Sequence, residues 1–165
     1  MIYFLSIGSN LVNKAINLKN SIEELANTNK LHIKNISDFI ECKAWGYEAQ
    51  DDFLNAVIKV ESELEPIDFL IMCKGIEEKL GREDNFKWGP RIIDIDIIFC
   101  INNGQHAVIN SENLTIPHKD MHLRYFVLKP LSQIDDEIIH PILNKTVREL
   151  LNSIILKEKL KMEVS

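Results

Sequence analysis

Apolar and polar positions along the chain divide it into a short series of strands and helices. Residues 2–7 are almost wholly apolar, which predicts a central first strand. Gly8-Ser9-Asn10 ends it and reads as a strand-to-helix turn, with Ser9 or Asn10 as the helix cap. Leu11, Ala15, Leu18, Ile22 and Leu25 then recur at helical spacing, predicting an amphipathic helix to about Asn27. Residues 31–42 read as a second strand with imperfect alternation. Residues 43–52 read as a polar loop around Trp45 and Gly46, and residues 53–63 as a third strand. In that strand Leu54, Ala56, Ile58 and Val60 face one way, and Phe53, Asn55, Val57 and Lys59 the other. Pro66 opens a second helix, Phe69, Cys73, Ile76 and Leu80 form its buried stripe, and Gly81 suits its C-terminal end.

The stretch Trp88-Gly89-Pro90-Arg91-Ile92-Ile93-Asp94-Ile95-Asp96-Ile97-Ile98-Phe99 begins with turn residues and ends as a run rich in isoleucine, a strand-favouring residue. Alternation places Ile93, Ile95, Ile97 and Phe99 on one face and Ile92, Asp94, Asp96 and Ile98 on the other. The two aspartates then stand with their Cα atoms roughly 6–7 Å apart. Two carboxylates among isoleucines repel each other and lose hydration, so a positive partner is expected. A hard cation such as Mg²⁺, which takes one or two carboxylates together with substrate phosphates, fits that demand. The plain alternative is a wet sheet face, which the flanking isoleucines disfavour.

Asn102-Asn103-Gly104 is a hairpin signal, so residues 106–109 are expected to run back antiparallel. Residues 113–124 are irregular around Pro117-His118, and residues 125–131 are a short apolar run. Pro130 and Pro141 bracket a loop containing Asp135-Asp136-Glu137. Val147, Leu150, Leu151 and Ile154 mark a last helix, whose lysine-rich end over residues 157–165 is expected to fray. The resulting βαββαβ string points to an α+β, ferredoxin-like core. It is a mainly antiparallel sheet with helices packed on it, in a single domain over residues 1–165. That plan hosts many functions and selects none.

Composition narrows the choice. With 165 residues, 45% hydrophobic and 27% charged, the chain is an ordinary soluble globule. No run is long enough to span a bilayer, and the first residues lack a signal-peptide pattern, so a cytoplasmic protein is expected. Cys42, Cys73 and Cys100 are few, odd in number and widely spaced, which favours reduced thiols. A formal net charge of −6 argues against nucleic acid as a partner. It leaves room for a small anion met by a local basic cluster of Arg82, Lys87, Arg91, Lys119 and Arg124. Phe53 beside Asn55 suits a flat heterocycle, stacked by the ring and read by the amide. A packed Phe and a solvated Asn is the simpler reading of those two positions.

Several stretches together resemble one family, 6-hydroxymethyl-7,8-dihydropterin pyrophosphokinase. They are residues 7–11 (Ile-Gly-Ser-Asn-Leu), Phe53-Leu54-Asn55-Ala56, Ile76-Glu77 with Gly81-Arg82, the run from Trp88 to Ile97, and residues 114–121 around Pro117-His118. Arg124, Phe126 and Pro130-Leu131 follow in order. The likeness runs from about residue 2 to about residue 150. It implies transfer of the pyrophosphoryl group of ATP to the hydroxymethyl group of the pterin, leaving AMP, in folate biosynthesis. Asp94 and Asp96 are implied to hold two Mg²⁺ ions on the triphosphate, with Arg82 and Arg91 completing the catalytic set. Glu77, Lys87, Trp88, Arg91, Ile97, Thr115, His118, Lys119 and Arg124 are implied at the nucleotide. Cys42, Lys43, Trp45, Gly46, Phe53, Asn55 and Phe126 are implied at the pterin. The implied partners are these two small molecules, with no membrane and a monomer.

The chain departs from the family in places. Lys43-Ala44-Trp45-Gly46 lacks the usual prolines, which implies a less rigid loop. Asp84 stands where a second arginine is common, Lys87 where arginine is usual, Asn113 where a basic residue is common, and Phe53 where tyrosine is common. No metal ligand is lost. Two other classes remain to be separated by assay: a glycosyltransferase, since Asp-x-Asp also holds metal against nucleotide sugars, and a non-catalytic ligand-binding module.

Overall fold

The computed structural model describes residues 1–44, 46, 49–83 and 89–164. Its principal sheet is antiparallel and is built from β1 (Ile2–Ser9), β2 (Leu31–Ile36), β3 (Ile40–Cys42), β4 (Phe53–Ser62), β5 (Asp94–Asn102) and β6 (Gln105–His106). The order is β2-β4-β1-β5-β6, with β3 continuing along β4 beyond β2. β1 is central, as its apolar composition predicts, and all but its first residue are buried. The expected single strand over 31–42 is two. Ser37 interrupts it, its N–H donating to the Val57 carbonyl at 3.0 Å and its hydroxyl accepting from Val57 N–H at 2.9 Å.

Two helices cover one face of this sheet. α1 (Lys14–Asn27) contributes Leu18 and Leu25, and α2 (Pro66–Lys79) contributes Phe69, Cys73 and Ile76. They pack on Tyr3, Leu5 and Ile7 of β1, Ala56, Ile58 and Val60 of β4, and Ile95 and Ile97 of β5. Phe69 stacks on Tyr3 at 4.0 Å with the rings 5° from parallel. Leu11 and Ala15 do not join the expected stripe: the helix starts only at Lys14, and both side chains are exposed. Its N-cap is Asn13 at φ 66°, a left-handed position that asparagine tolerates, rather than Ser9 or Asn10.

The opposite face is covered over half its length by α3 (Tyr125–Ile134) and α4 (Val147–Val164). Val127, Leu128 and Leu131 of α3 and Val147, Leu150 and Leu151 of α4 bury Phe4, Val57, Ile98 and Phe99. Phe99 therefore lies opposite Ile97, contrary to simple alternation. Phe4 pairs with Phe99 and Leu5 with Ile97, so Ile98 is one residue too many for the register. Such a bulge turns two successive side chains to one side. Pro130, expected to mark the edge of a loop, sits inside α3, where it costs one helical hydrogen bond. α4 is helical to Val164, past the point where fraying is expected.

Asn103 (φ 48°) and Gly104 (φ 78°) form the expected hairpin turn after β5. The returning strand is shorter than expected: only Gln105 and His106 pair with β5. Ile109 belongs instead to β7 (Ile109–Asn110), which pairs with β8 (Thr115–Ile116). The Ile116–Pro117 peptide is cis, and a single 3₁₀ turn over Met121–Leu123 leads into α3. β9 (Ile139–His140) and β10 (Lys145–Thr146) form a small hairpin before α4.

That hairpin holds a buried histidine. His140 is 4% exposed, its ring lies 5.8 Å from Phe99 and 6.1 Å from His122, and its Nδ1 accepts from the N–H groups of Ile142 and Leu143. Burial, with His122 and His106 nearby, pushes its pKa below the ordinary histidine value. A histidine kept neutral in this way stabilises the fold fully above its unfolded pKa, about 6.5. That stability is lost as pH falls towards the folded value. An NMR titration of the ring is expected to give a midpoint below 6.5, and a midpoint at or above it contradicts this reading.

Candidate active site

Beyond the half capped by α3 and α4, the same sheet face is polar. Strand pairing sets Asn55 of β4, Gly8 of β1 and Asp94 of β5 in one row, and Val57, Ser6 and Asp96 in the next. Adjacent strands lie about 4.8 Å apart, so the β4 and β5 members of a row stand roughly 10 Å from each other. Gly8 and Ser6, the small residues between them, floor a cleft of about 270 Å³. Lys43, Phe53, Gly89, Arg91, His118, Arg124 and Phe126 complete its lining. Gly8 leaves room for the Asn55 amide: a Cβ at this position would come to 2.8 Å from Asn55 Oδ1 and would have to displace it.

The β5 side is a concentrated charge array. Asp94 Oδ1 accepts from Arg82 at 3.0 Å and from Arg91 in a short contact. Arg82 reaches it from the segment after α2, which Gly81 turns with φ 88°. Asp96 is less well served, with Arg124 at 3.6 Å and His118 at 3.9 Å, both beyond good hydrogen-bonding distance. Desolvation by the cleft walls, followed by the neighbouring charge of Asp94, pushes the Asp96 carboxyl above the ordinary range. Burial pulls His118 below its ordinary value, against the opposing pull of Asp96. The His118 Nδ1 accepts from Asp120 N–H at 3.2 Å, which leaves the ring proton on Nε2, the atom nearest Asp96. A backbone bond from His118 N–H to the Ile98 carbonyl, 2.9 Å, holds that loop against β5.

The β4 side is aromatic and amide. Phe53 and Phe126 line the cleft from β4 and α3, and Asn55, buried between rows, donates to the Phe53 carbonyl at 3.3 Å. Arg124 joins the two sides, its guanidinium 5.7 Å from the Phe126 ring centre while Nη1 points to Asp96.

Most of the expected residues therefore meet in one place, and a few do not. Glu77 and Ile97, expected at the nucleotide, lie on the α2 side of the sheet, 1% and 3% exposed. Glu77 accepts from Ile95 N–H at 2.6 Å, pairs with Lys74 at 2.8 Å and makes a short ion pair with Arg82. It thus holds Arg82 from behind. Thr115 in β8 and exposed Lys119 are outside the cleft lining, as are Cys42 and Gly46, which lie at the ends of the stretch contributing Lys43. Trp45, Asp84, Lys87 and Trp88 fall outside the described residues. Ser6 and Asn10 were not legible as site residues from sequence. Ser6 is visible only once β1 is paired with β5, and Asn10 only once its carboxamide is seen to span two loops.

The family model for 7,8-dihydro-6-hydroxymethylpterin-pyrophosphokinase matches residues 4–136. The chain belongs to this family. Among curated members, a 2-amino-4-hydroxy-6-hydroxymethyldihydropteridine pyrophosphokinase of Aquifex aeolicus is 39% identical over 146 residues, covering 88% of each chain. Its namesake in Methylorubrum extorquens is 38% identical over 148 residues, covering 90% of each. The fold is that of a solved Plasmodium falciparum HPPK-DHPS chain, with a TM-score of 0.75 at 18% identity. That alignment covers 97% of this chain and 46% of the other, so the pyrophosphokinase spans less than half of that longer protein. The ferredoxin-like plan expected of it is present, with the cleft on the face its C-terminal helices leave open.

Proposed function

We infer that this cleft performs the reaction of its family. ATP donates its pyrophosphoryl group to the hydroxymethyl group of 6-hydroxymethyl-7,8-dihydropterin, a step of folate biosynthesis, and AMP leaves. The observation that carries the reading is the adjacency of an aromatic-amide slot and a carboxylate-arginine array on one sheet face, separated only by Gly8 and Ser6.

The pterin lies between Phe53 and Phe126, and the Asn55 carboxamide, which offers both donor and acceptor, reads its edge. The backbone from Cys42 to Gly46 closes that end. The triphosphate lies along β5, met by Arg82, Arg91 and Arg124, whose planar forks match phosphate oxygens. The Nε2–H of His118 donates in the same direction. Such transfers depend on positioning and on stabilising developing charge rather than on a strong base, which suits a site where fixed guanidinium groups surround the reacting oxygens.

Asp94 and Asp96 are the residues that would hold Mg²⁺, as two ions. Their chemistry fits. Asp96 has oxygen donors open to the cleft at 31% exposure, and its positive neighbours stop short of it. Among the described residues no cluster of three or more acidic, histidine or cysteine side chains forms a complete metal cage. When bound there, Mg²⁺ would supply charge neutralisation for the transferred group.

The protein works as a cytoplasmic monomer in this reading. Its described cysteines are free, and burial pushes the Cys73 thiol up to about 12, which leaves it inert. No helix among the described residues is long and apolar enough to cross a membrane.

The test is product identity after incubation with ATP, Mg²⁺ and the hydroxymethyl pterin. AMP with pterin diphosphate is expected. ADP, or no turnover at all, contradicts the reading, the latter in favour of a binding module. In a parallel incubation, hydrolysis of a nucleotide sugar, with no pterin product from the first, favours the glycosyltransferase class.

A further inference from the structure

Asn10 lies just past the end of β1, is 1% exposed and uses its whole carboxamide. Its Oδ1 accepts from Arg91 N–H at 2.8 Å, while its own N–H donates to the Arg91 carbonyl at 3.2 Å. On the other side its Nδ2 donates to Gln50 Oε1 at 2.9 Å and to the Asp51 carbonyl at 3.1 Å. One buried side chain therefore ties two segments that are far apart in sequence. The first bears Arg91, paired with Asp94 at the phosphate end. The second runs directly into Phe53 and Asn55 at the heterocycle end.

We propose that Asn10 is a positioning residue that couples the two ends of the cleft, so that a ligand held at Arg91 favours binding at Phe53 and Asn55, and the reverse. The inference rests on the functional reading above, which assigns those ends to nucleotide and pterin. The physical basis is shared ordering. A ligand that fixes the backbone at Arg91 fixes the orientation of the Asn10 amide, which in turn fixes Gln50 and Asp51. The second ligand then meets a segment whose ordering entropy has already been lost. Coupling of this kind is reciprocal by thermodynamic necessity.

A second tie on the same loop provides the control. Lys14 Nζ, on α1, donates to the Asp52 carbonyl at 2.8 Å and pairs with Glu41 at 2.7 Å, without touching Arg91. Removing it loosens the loop but leaves the Asn10 link intact.

The experiment measures the affinity of α,β-methylene ATP with Mg²⁺ by titration calorimetry, with and without saturating hydroxymethyl-dihydropterin. This analogue resists cleavage at the bond that transfer breaks. The ratio of the two affinities is the coupling factor, and turnover of ordinary ATP by the same wild-type preparation is recorded alongside. The wild type is expected to show a factor of at least about fivefold, the lower end of typical couplings. Asn10→Ala is expected to bring it close to one. Asn10→Asp keeps the acceptor for Arg91 N–H but places an acceptor against the Asp51 carbonyl. It should lose the coupling while retaining most of the nucleotide affinity. Gln50→Ala, which alters the partner rather than the buried residue, should lower the factor in part. Lys14→Met should retain it.

Thermal unfolding confirms that each variant is folded, and a purely structural role for Asn10 would lower stability and leave the factor in place. A wild type without AMP production overturns the functional reading beneath the inference. A wild type that produces AMP but shows no coupling, or whose Asn10 and Gln50 variants keep the full factor, overturns the inference alone.

Discussion

Asp96→Asn is expected to lower turnover by on the order of a thousandfold, and to raise the thermal midpoint of the metal-free protein. The activity loss follows from removing one of the two carboxylates proposed to hold Mg²⁺ at the phosphates, an effect worth several kcal/mol at about 1.4 kcal/mol per tenfold. The gain in stability follows from the direction of its pKa. A carboxyl held above its unfolded value opposes folding at neutral pH, because the folded chain must ionise it against desolvation and Asp94. Asp94→Asn should abolish turnover to a similar degree but lower the midpoint, since Arg82 and Arg91 would face each other without their shared carboxylate. Steady-state turnover and thermal unfolding of the two variants, side by side, check both signs. Full activity in either variant contradicts the assignment of the pair.

Glu77→Ala is expected to destabilise the protein by about 3–5 kcal/mol, the usual result of removing one partner from a buried ion pair. Desolvation raises the Glu77 pKa, with Lys74 and Arg82 opposing, so the intact cluster is not itself strongly stabilising. The damage comes from what the deletion leaves behind: the Ile95 N–H of β5 without its acceptor, and Arg82 without its anchor. Turnover should fall as well, because Arg82 would no longer be held towards Asp94. Glu77→Gln can still accept from Ile95 N–H and should cost less stability. Chemical denaturation of the three proteins measures the difference, and equal stability of wild type and Glu77→Ala contradicts the positioning role.

The βαββαβ order was legible because each core element has a period of its own. Residues 2–7, 53–63 and the isoleucine-rich run ending at Phe99 read as strands and residues 66–80 as a helix from side-chain pattern alone, and the structure has them within a few residues. Where the reading failed, a non-local partner decided. Nothing local marks Ile98 as an extra residue; only pairing with Phe4 and Leu5 reveals the bulge that turns Phe99 to the other face. Ser37 breaks a strand because Val57 is available to it. Pro130 is tolerated within α3, a helix whose Val127, Leu128 and Leu131 pack into the core. Leu11 and Ala15 fit the helical period but precede or flank the face that the sheet actually covers.

The site divides along the same line. Asp94 and Asp96 were legible because strand alternation alone puts both on one face; it does the same for Phe53 and Asn55, but only family likeness favoured a ligand there over a packed ring and a solvated amide. The convergence of Arg82, Arg91, His118 and Arg124 on them came only through family likeness, since these residues arrive from four different segments. Glu77 was assigned to the nucleotide by that likeness. The structure shows it paired with Arg82 on the α2 side of the sheet, a relation visible only with α2 packed against β5. Asn10 reads locally as a turn residue, and its part in joining two loops depends on contacts with residues 40 and 81 positions away.

The most direct measurement counts the metal. With Mn²⁺ in place of Mg²⁺ and α,β-methylene ATP present, the electron paramagnetic resonance signal of free ion reports how many ions each protein–nucleotide complex retains. Binding of two ions per ternary complex by the wild type, and loss of tight binding in the Asp94→Asn, Asp96→Asn double variant, is the predicted result. Equal retention of Mn²⁺ by the wild type and the folded double variant would contradict it.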